Sequence, residues 1–182
     1  MAERYGYPAQ TLHWVMFALI VAAFGVGLWM AGLPVGPQRF RAVPWHKAIG
    51  ITILALLVLR LLWRLRHPPP PLPATLPAWE RRAAHATHWL LYLLMLAVPL
   101  SGWLMSSALG FSTVVFGWTL PNLLERNREL GDALKTAHYF LNKTLLALLL
   151  LHVAAALKHA FVDCDGVMQR MLPWRGRHSE TS

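Results

Sequence analysis

The residues with chemistry to offer are histidines. Three of them, His138, His152 and His159, lie in AHYFLNKTLLALLLLHVAAALKHAF (137–161), a run otherwise apolar enough to cross a bilayer. His138 and His152 are fourteen positions apart, which on an α-helix is about 21 Å of rise and nearly four whole turns. They therefore project from one face at two depths. An imidazole in hydrocarbon costs free energy and normally faces a bundle interior with a partner. Two on one stripe imply two stacked metal-centred cofactors, with other helices supplying the opposite ligand at each level.

The elements that must position those ligands are also apolar. The chain has 182 residues, 56% hydrophobic and 14% charged, where a soluble domain would carry about 25% charge. Four apolar runs account for the difference: 12–31, 46–63, 88–105 and 139–157. Each is close to the roughly 20 residues a spanning helix needs. The expectation is one all-α membrane domain over 1–182, a four-helix bundle with helices near 9–31, 45–66, 78–107 and 136–161 and a short polar C-terminal tail. The first run is long for a signal-peptide core and carries His13, so it is read as a membrane helix. Pro44 is expected to open the second helix, and the Pro68–Pro71 run to end it. Pro99 and Ser101 mark a kink in the third. The stretch 106–136 is the longest connection, long enough for a lid or a docking surface.

The net charge of +9 would suit nucleic acid in a soluble protein; here it marks the loops, and no nucleic-acid partner is expected. With the amino terminus inside, ten basic residues fall on the inner side: Arg4, Arg60, Arg64, Arg66, Arg81, Arg82, Lys158, Arg170, Arg175 and Arg177. Seven fall outside: Arg39, Arg41, Lys47, Arg126, Arg128, Lys135 and Lys143. That excess, dense between helices two and three, favours N-in and C-in.

Depth then pairs the ligands. His46 and His138 are expected in the first turns of helices that begin outside. His13 lies about five residues into a helix beginning inside, and His152 lies about 10 Å before His159 near the inner end of its own. His46 thus faces His138, and His13 faces His152. Zinc would want four ligands in a compact tetrahedron. Two imidazoles per level, on helices far enough apart to admit a large flat group, fit haem better. Ligation on both faces favours electron transfer over oxygen binding. Gly50, one turn after His46, offers a face for such a ring. The chain has one cysteine, Cys164, and no CxxCH, so neither an internal disulfide nor covalent haem attachment is expected.

These stretches resemble the bacterial cytochrome b561 family over essentially the whole chain. The resemblance rests on His13-Trp14, HKAIGITILALLVLRLLWRL, PLSGWLMSSALG, FGWTLPN and HVAAALKHAFVDCDGVMQRMLP. It implies four helices and two non-covalent haems b in a bacterial inner membrane, with His13, His46, His138 and His152 as axial ligands. Stand-alone members of the family oxidise superoxide at the periplasmic surface and deliver the electrons to ubiquinone. Related cytochrome b subunits of formate dehydrogenase and nickel–iron hydrogenase share the histidine layout and imply the alternative: a membrane anchor passing electrons from a docked dehydrogenase or hydrogenase to quinone.

Other residues compete for roles. His85 and His88, near the inner level, could displace His13 or His152 as ligand, or hydrogen-bond haem propionates or a quinone carbonyl. His159 is read as a propionate or quinone partner or as an interfacial residue. Propionates want cations; Arg41 and Lys47 are candidates outside, and Arg64, Arg81 and Lys158 inside. His67 and His178 are expected to be solvated. No nucleophile–base pair, phosphate loop or carboxylate pair stands out, so the redox chemistry would belong to the cofactor. The outer segments hold seven basic residues against Glu125, Glu129 and Asp132, a surface suited to attracting a small anion.

Overall fold

The structure, a computed structural model, describes residues 4–73 and 76–173. Arg175, Arg177, His178 and most of the expected polar tail lie outside the described residues. Four long helices carry the chain back and forth: α1 (Tyr7–Gly32), α2 (Pro37–Arg66), α3 (Ala78–Ala108) and α4 (Arg128–Phe161). All four are long and apolar enough to cross a membrane. Their outward faces expose large apolar side chains such as Leu28, Leu65, Leu150 and Phe161, the surface a lipid solvent calls for. A small antiparallel hairpin, β1 (Thr113–Val115) and β2 (Trp118–Leu120), interrupts the α3–α4 connection.

Two helices, α2 and α4, start about two turns before the positions expected from the sequence. α2 begins at Pro37 after Gly36, so Pro44 lies inside it instead of opening it. Pro suits the first turn, where its missing N–H would be unpaired anyway, and Pro37 takes that role. α4 begins at Arg128 because Asn127 caps it, its side-chain oxygen accepting from Leu130 N at 3.0 Å. A capping Asn stabilises a helix start by about 1 kcal/mol. His46 and His138 consequently sit in the third turns of their helices, not the first. The connection shrinks to 109–127 and is tied down: Lys47 Nζ donates to Ser106 Oγ and Ser112 O, Trp103 Nε1 to Pro121 O, and Asn127 N to Ala108 O. The hairpin turn uses left-handed backbone at Phe116 (φ 50) and Gly117 (φ 85), the conformation that matches strand twist in a two-residue turn.

The first and last described segments meet at the opposite end of the bundle. Tyr5 N donates to Arg170 O, Gln10 Nε2 to Tyr5 O and Arg170 O, and Trp14 Nε1 to Met171 O at 2.9 Å. Arg170 and Met171 lie on and beside a 3-10 turn, Met168–Arg170. Between the two ends the bundle is apolar: Met16, Ile20, Ile53, Leu57 and Tyr92 form one packed cluster, and Leu91, Leu94 and Leu145 another. In lipid such contacts hold helices by close packing, since the tails are as apolar as the side chains.

Candidate functional site

One register runs through all four helices. His13 and Gly27 on α1, His46 and Arg60 on α2, His88 and Gly102 on α3, and His138 and His152 on α4 are each fourteen positions apart. Nearly whole turns separate the members of each pair, so they form two levels with the apolar clusters between them. One level holds His46, His138, Gly27 and Gly102; the other holds His13, His152, His88 and Arg60.

At the first level the rings of His46 and His138 face each other with centres 6.4 Å apart and planes at 89°. The two glycines make room. A Cβ at Gly27 would lie 3.1 Å from His46 Cε1, and one at Gly102 would lie 3.1 Å from His138 Cε1. Each imidazole therefore stands against a bare backbone on the neighbouring helix. His138 is oriented through Nδ1, 3.0 Å from Val98 O and 3.0 Å from Ser101 Oγ. Ser101 itself donates to Val98 O at 2.7 Å. With Nδ1–H committed to a carbonyl, the lone pair of Nε2 is left for a metal. His46 Nδ1 is buried without a formed hydrogen bond. Between the two rings opens a cavity walled by Phe24, Gly50, Ile53, Met95, Pro99 and Leu145.

At the second level His13 and His152 have ring centres 6.3 Å apart and planes at 67°. His88 is closer to His152, at 5.4 Å. Arg60 Nη2 approaches His13 Nδ1 at 3.4 Å. Trp14 meets His13 edge-on at 5.4 Å while its indole N–H anchors on Met171.

The two separations suit one metal ion each. Metal–imidazole bonds run about 2 Å, so nitrogens on opposite sides of an ion stand about 4 Å apart, with a ring radius of roughly 1 Å beyond each. That gives about 6 Å between ring centres, and 6.3 and 6.4 Å are observed. The apolar walls, the two missing side chains and the buried imidazole nitrogen at the first level suit a flat, largely apolar group. The residues present fit haem.

The remaining candidates stand elsewhere. Lys47 is engaged with Ser106 and the backbone before the hairpin. Lys158 pairs with Asp163 at 2.6 Å and Glu80 at 3.4 Å. His159 Nδ1 lies 2.7 Å from Asp165 and 3.2 Å from Asp163, so it belongs to the acidic turn after α4. Arg41 and His85 are exposed. Arg81 donates to Leu76 O. His67 is exposed and stacks on Trp63 with ring centres 3.9 Å apart. Arg60, Gly27 and Gly102 were not read as part of the site from the sequence; the fourteen-residue spacing of the histidines, applied to the other helices, would have found them.

The chain is similar to known proteins along nearly its whole length. The family described as prokaryotic cytochrome b561 matches residues 4–174. Cytochrome b561 homolog 2 of Escherichia coli (strain K12) is 39% identical over 173 residues, covering 93% of this chain and 92% of that protein. Probable superoxide oxidase CybB of Yersinia pestis is 32% identical over 177 residues, covering 95% and 98%. Cytochrome b561 homolog 1 of Escherichia coli (strain K12) is 27% identical over 174 residues, covering 95% and 99%. Four spanning helices, paired half-buried histidines and a match along nearly the whole length lead to one conclusion: the chain belongs to the prokaryotic cytochrome b561 family, multi-pass haem b electron-transfer proteins of the bacterial inner membrane.

Proposed function

We propose that this protein takes electrons from superoxide at the periplasmic surface and delivers them to ubiquinone, using one haem b at each histidine level. His46 and His138 would hold the periplasmic haem, and His13 and His152 the cytoplasmic one, in an N-in, C-in bundle. The observation that carries the reading is the pair of facing imidazoles repeated at two depths, 6.4 and 6.3 Å between ring centres. Haem supplies one-electron oxidation and reduction when bound. The protein's part is to orient the imidazoles, as Val98 O does for His138, and to keep water from the core between the levels.

The balance is simple. Two superoxide ions give two electrons and two molecules of dioxygen; ubiquinone takes the two electrons and two protons to become ubiquinol. Support for superoxide comes from the Yersinia pestis relative named a probable superoxide oxidase and from the basic residues gathered at the His46 end. Basic surfaces raise the on-rate of small anions. The test is the purified chain, given a steady superoxide source and a soluble ubiquinone. One ubiquinol per two superoxide consumed is the expected stoichiometry. Protein that quinol reduces but superoxide does not would contradict it.

The second reading, a haem-bearing anchor for a docked dehydrogenase or hydrogenase, draws on the hairpin. Phe116 and Trp118 are 80% and 78% exposed at its tip, at the end of the bundle where such a partner would deliver electrons. Superoxide-independent activity that appears only with a co-purifying subunit would favour it.

A further inference from the structure

Beside His13, two guanidinium groups converge on one buried hydroxyl. Arg60 Nε donates to Tyr92 Oη at 3.1 Å and Arg64 Nη1 to the same oxygen at 3.5 Å. Both guanidinium carbons lie over the Tyr92 ring, 5.9 and 5.5 Å from its centre. Tyr92 is 9% exposed, and Arg60 and Arg64 are half-buried. Among the described residues no carboxylate comes within ion-pair distance of either arginine. Two like charges held together in a partly desolvated site, with no acid to balance them, are costly unless something else neutralises them.

The hydrogen-bond inventory points the same way. A phenol has one proton to give and two lone pairs. Both arginines donate to Tyr92 Oη, so its own proton is left seeking an acceptor. Tyr5 lines the same cavity as Arg60, Arg64 and Tyr92, with Trp63 as one wall. Burial raises the Tyr5 pKa above its usual value, against the opposing pull of Arg64, so its hydroxyl stays protonated and is a further donor. The cavity is thus an array of donors around two positive charges. The complementary ligand is an oxyanion that accepts from several donors at once, a carboxylate or a phosphate.

We propose that Arg60, Arg64 and Tyr92 form an oxyanion site at the His13 level. Two sources carry that chemistry: a carboxylate of the haem held by His13 and His152, or the phosphate of an anionic lipid headgroup at the helix end. The first rests on the reading of haem at this level and the second does not. Arg60 joins the site to the ligand level directly, through its 3.4 Å approach to His13.

The experiment uses holoprotein carrying haem labelled with ¹³C in its carboxylates, as wild type, Arg60→Gln, Arg64→Gln and Tyr92→Phe. Redox difference infrared spectra read the labelled carboxylates, and native mass spectrometry with added phosphatidylglycerol reads the lipid. The His46 level, undisturbed by these changes, reports folding through its retained haem spectrum. If the anion is a haem carboxylate, labelled bands shift in all three variants and lipid retention is unchanged. If it is a headgroup, wild type retains phosphatidylglycerol, the variants lose it, and the labelled bands stay put. Variants that change neither overturn the site. Should His152→Ala remove no haem signal, the haem reading falls, and lipid retention alone then decides whether the site exists.

Discussion

Gly102 lies so close to His138 that a Cβ in its place would be 3.1 Å from the ring's Cε1. The same distance separates a Cβ at Gly27 from His46 Cε1. Each facing imidazole of this level therefore occupies space that a missing side chain leaves free. Replacing Gly102 by Ala asks the ring to yield a few tenths of an ångström; replacing it by Val pushes a branched side chain into it. Overpacking of this kind costs about 1–3 kcal/mol. The expected result is a shifted haem spectrum in Gly102→Ala and loss of one haem in Gly102→Val. Haem-to-protein ratios with circular dichroism as the folding control measure it, and unchanged haem in the Val variant would remove the glycine's assigned role.

His88 stands 5.4 Å from His152, closer than His13 at 6.3 Å. Depth and separation both favour His13, because two imidazoles holding one metal ion between them would stand about 6 Å apart between ring centres. His88→Ala should keep a low-spin six-coordinate haem at this level, and His13→Ala should lose it. Electron paramagnetic resonance of the oxidised variants distinguishes them. The opposite outcome would make His88 the ligand.

Much of this arrangement was legible in the chain before any coordinates. Helix number followed from four apolar runs, and the meeting of His46 with His138 and of His13 with His152 followed from depth along helices of fixed rise. Helix starts were less legible. Apolar periodicity marks the part of a helix in lipid, whereas α2 and α4 extend two turns beyond it, started by Pro37 and by the Asn127 cap. Arg60, Gly27 and Gly102 went unread because their roles depend on which helix packs against which. A glycine opposite an imidazole is visible only once α1 lies on α2 and α3 on α4. The ion pairs of Lys158 with Asp163 and of His159 with Asp165 were not legible either, because these acids follow in sequence but turn back onto the helix end.

The proposed N-in, C-in orientation rests on the basic cluster between α2 and α3, since lysine and arginine are retained on the cytoplasmic side. Reporter fusions at Pro70 and at the carboxyl terminus should read cytoplasmic, and one at Asn127 periplasmic. The reverse pattern would exchange the two haem levels.

Electrostatic steering of superoxide makes a kinetic prediction. Exposed charges are screened beyond about 8 Å at 0.15 M ionic strength, so haem reduction by superoxide should slow as salt rises. Replacing Arg39, Arg41, Arg126 and Arg128 together by Gln should slow it further and flatten the dependence. Haem content and reduction by a neutral donor should stay unchanged, because none of the four is a proposed ligand. A stopped-flow salt series checks this; a rate indifferent to salt and to the substitutions would exclude steering.

The central claim is two haems stacked along α4, each held between two histidines, and haem counting in ligand variants tests it most directly. Wild-type protein should bind two haems b per chain, both low-spin. His138→Ala and His152→Ala should each remove or convert one, at different levels, and the double variant should retain neither. A reduced spectrum unchanged in the double variant, or a wild-type stoichiometry of one, would contradict it.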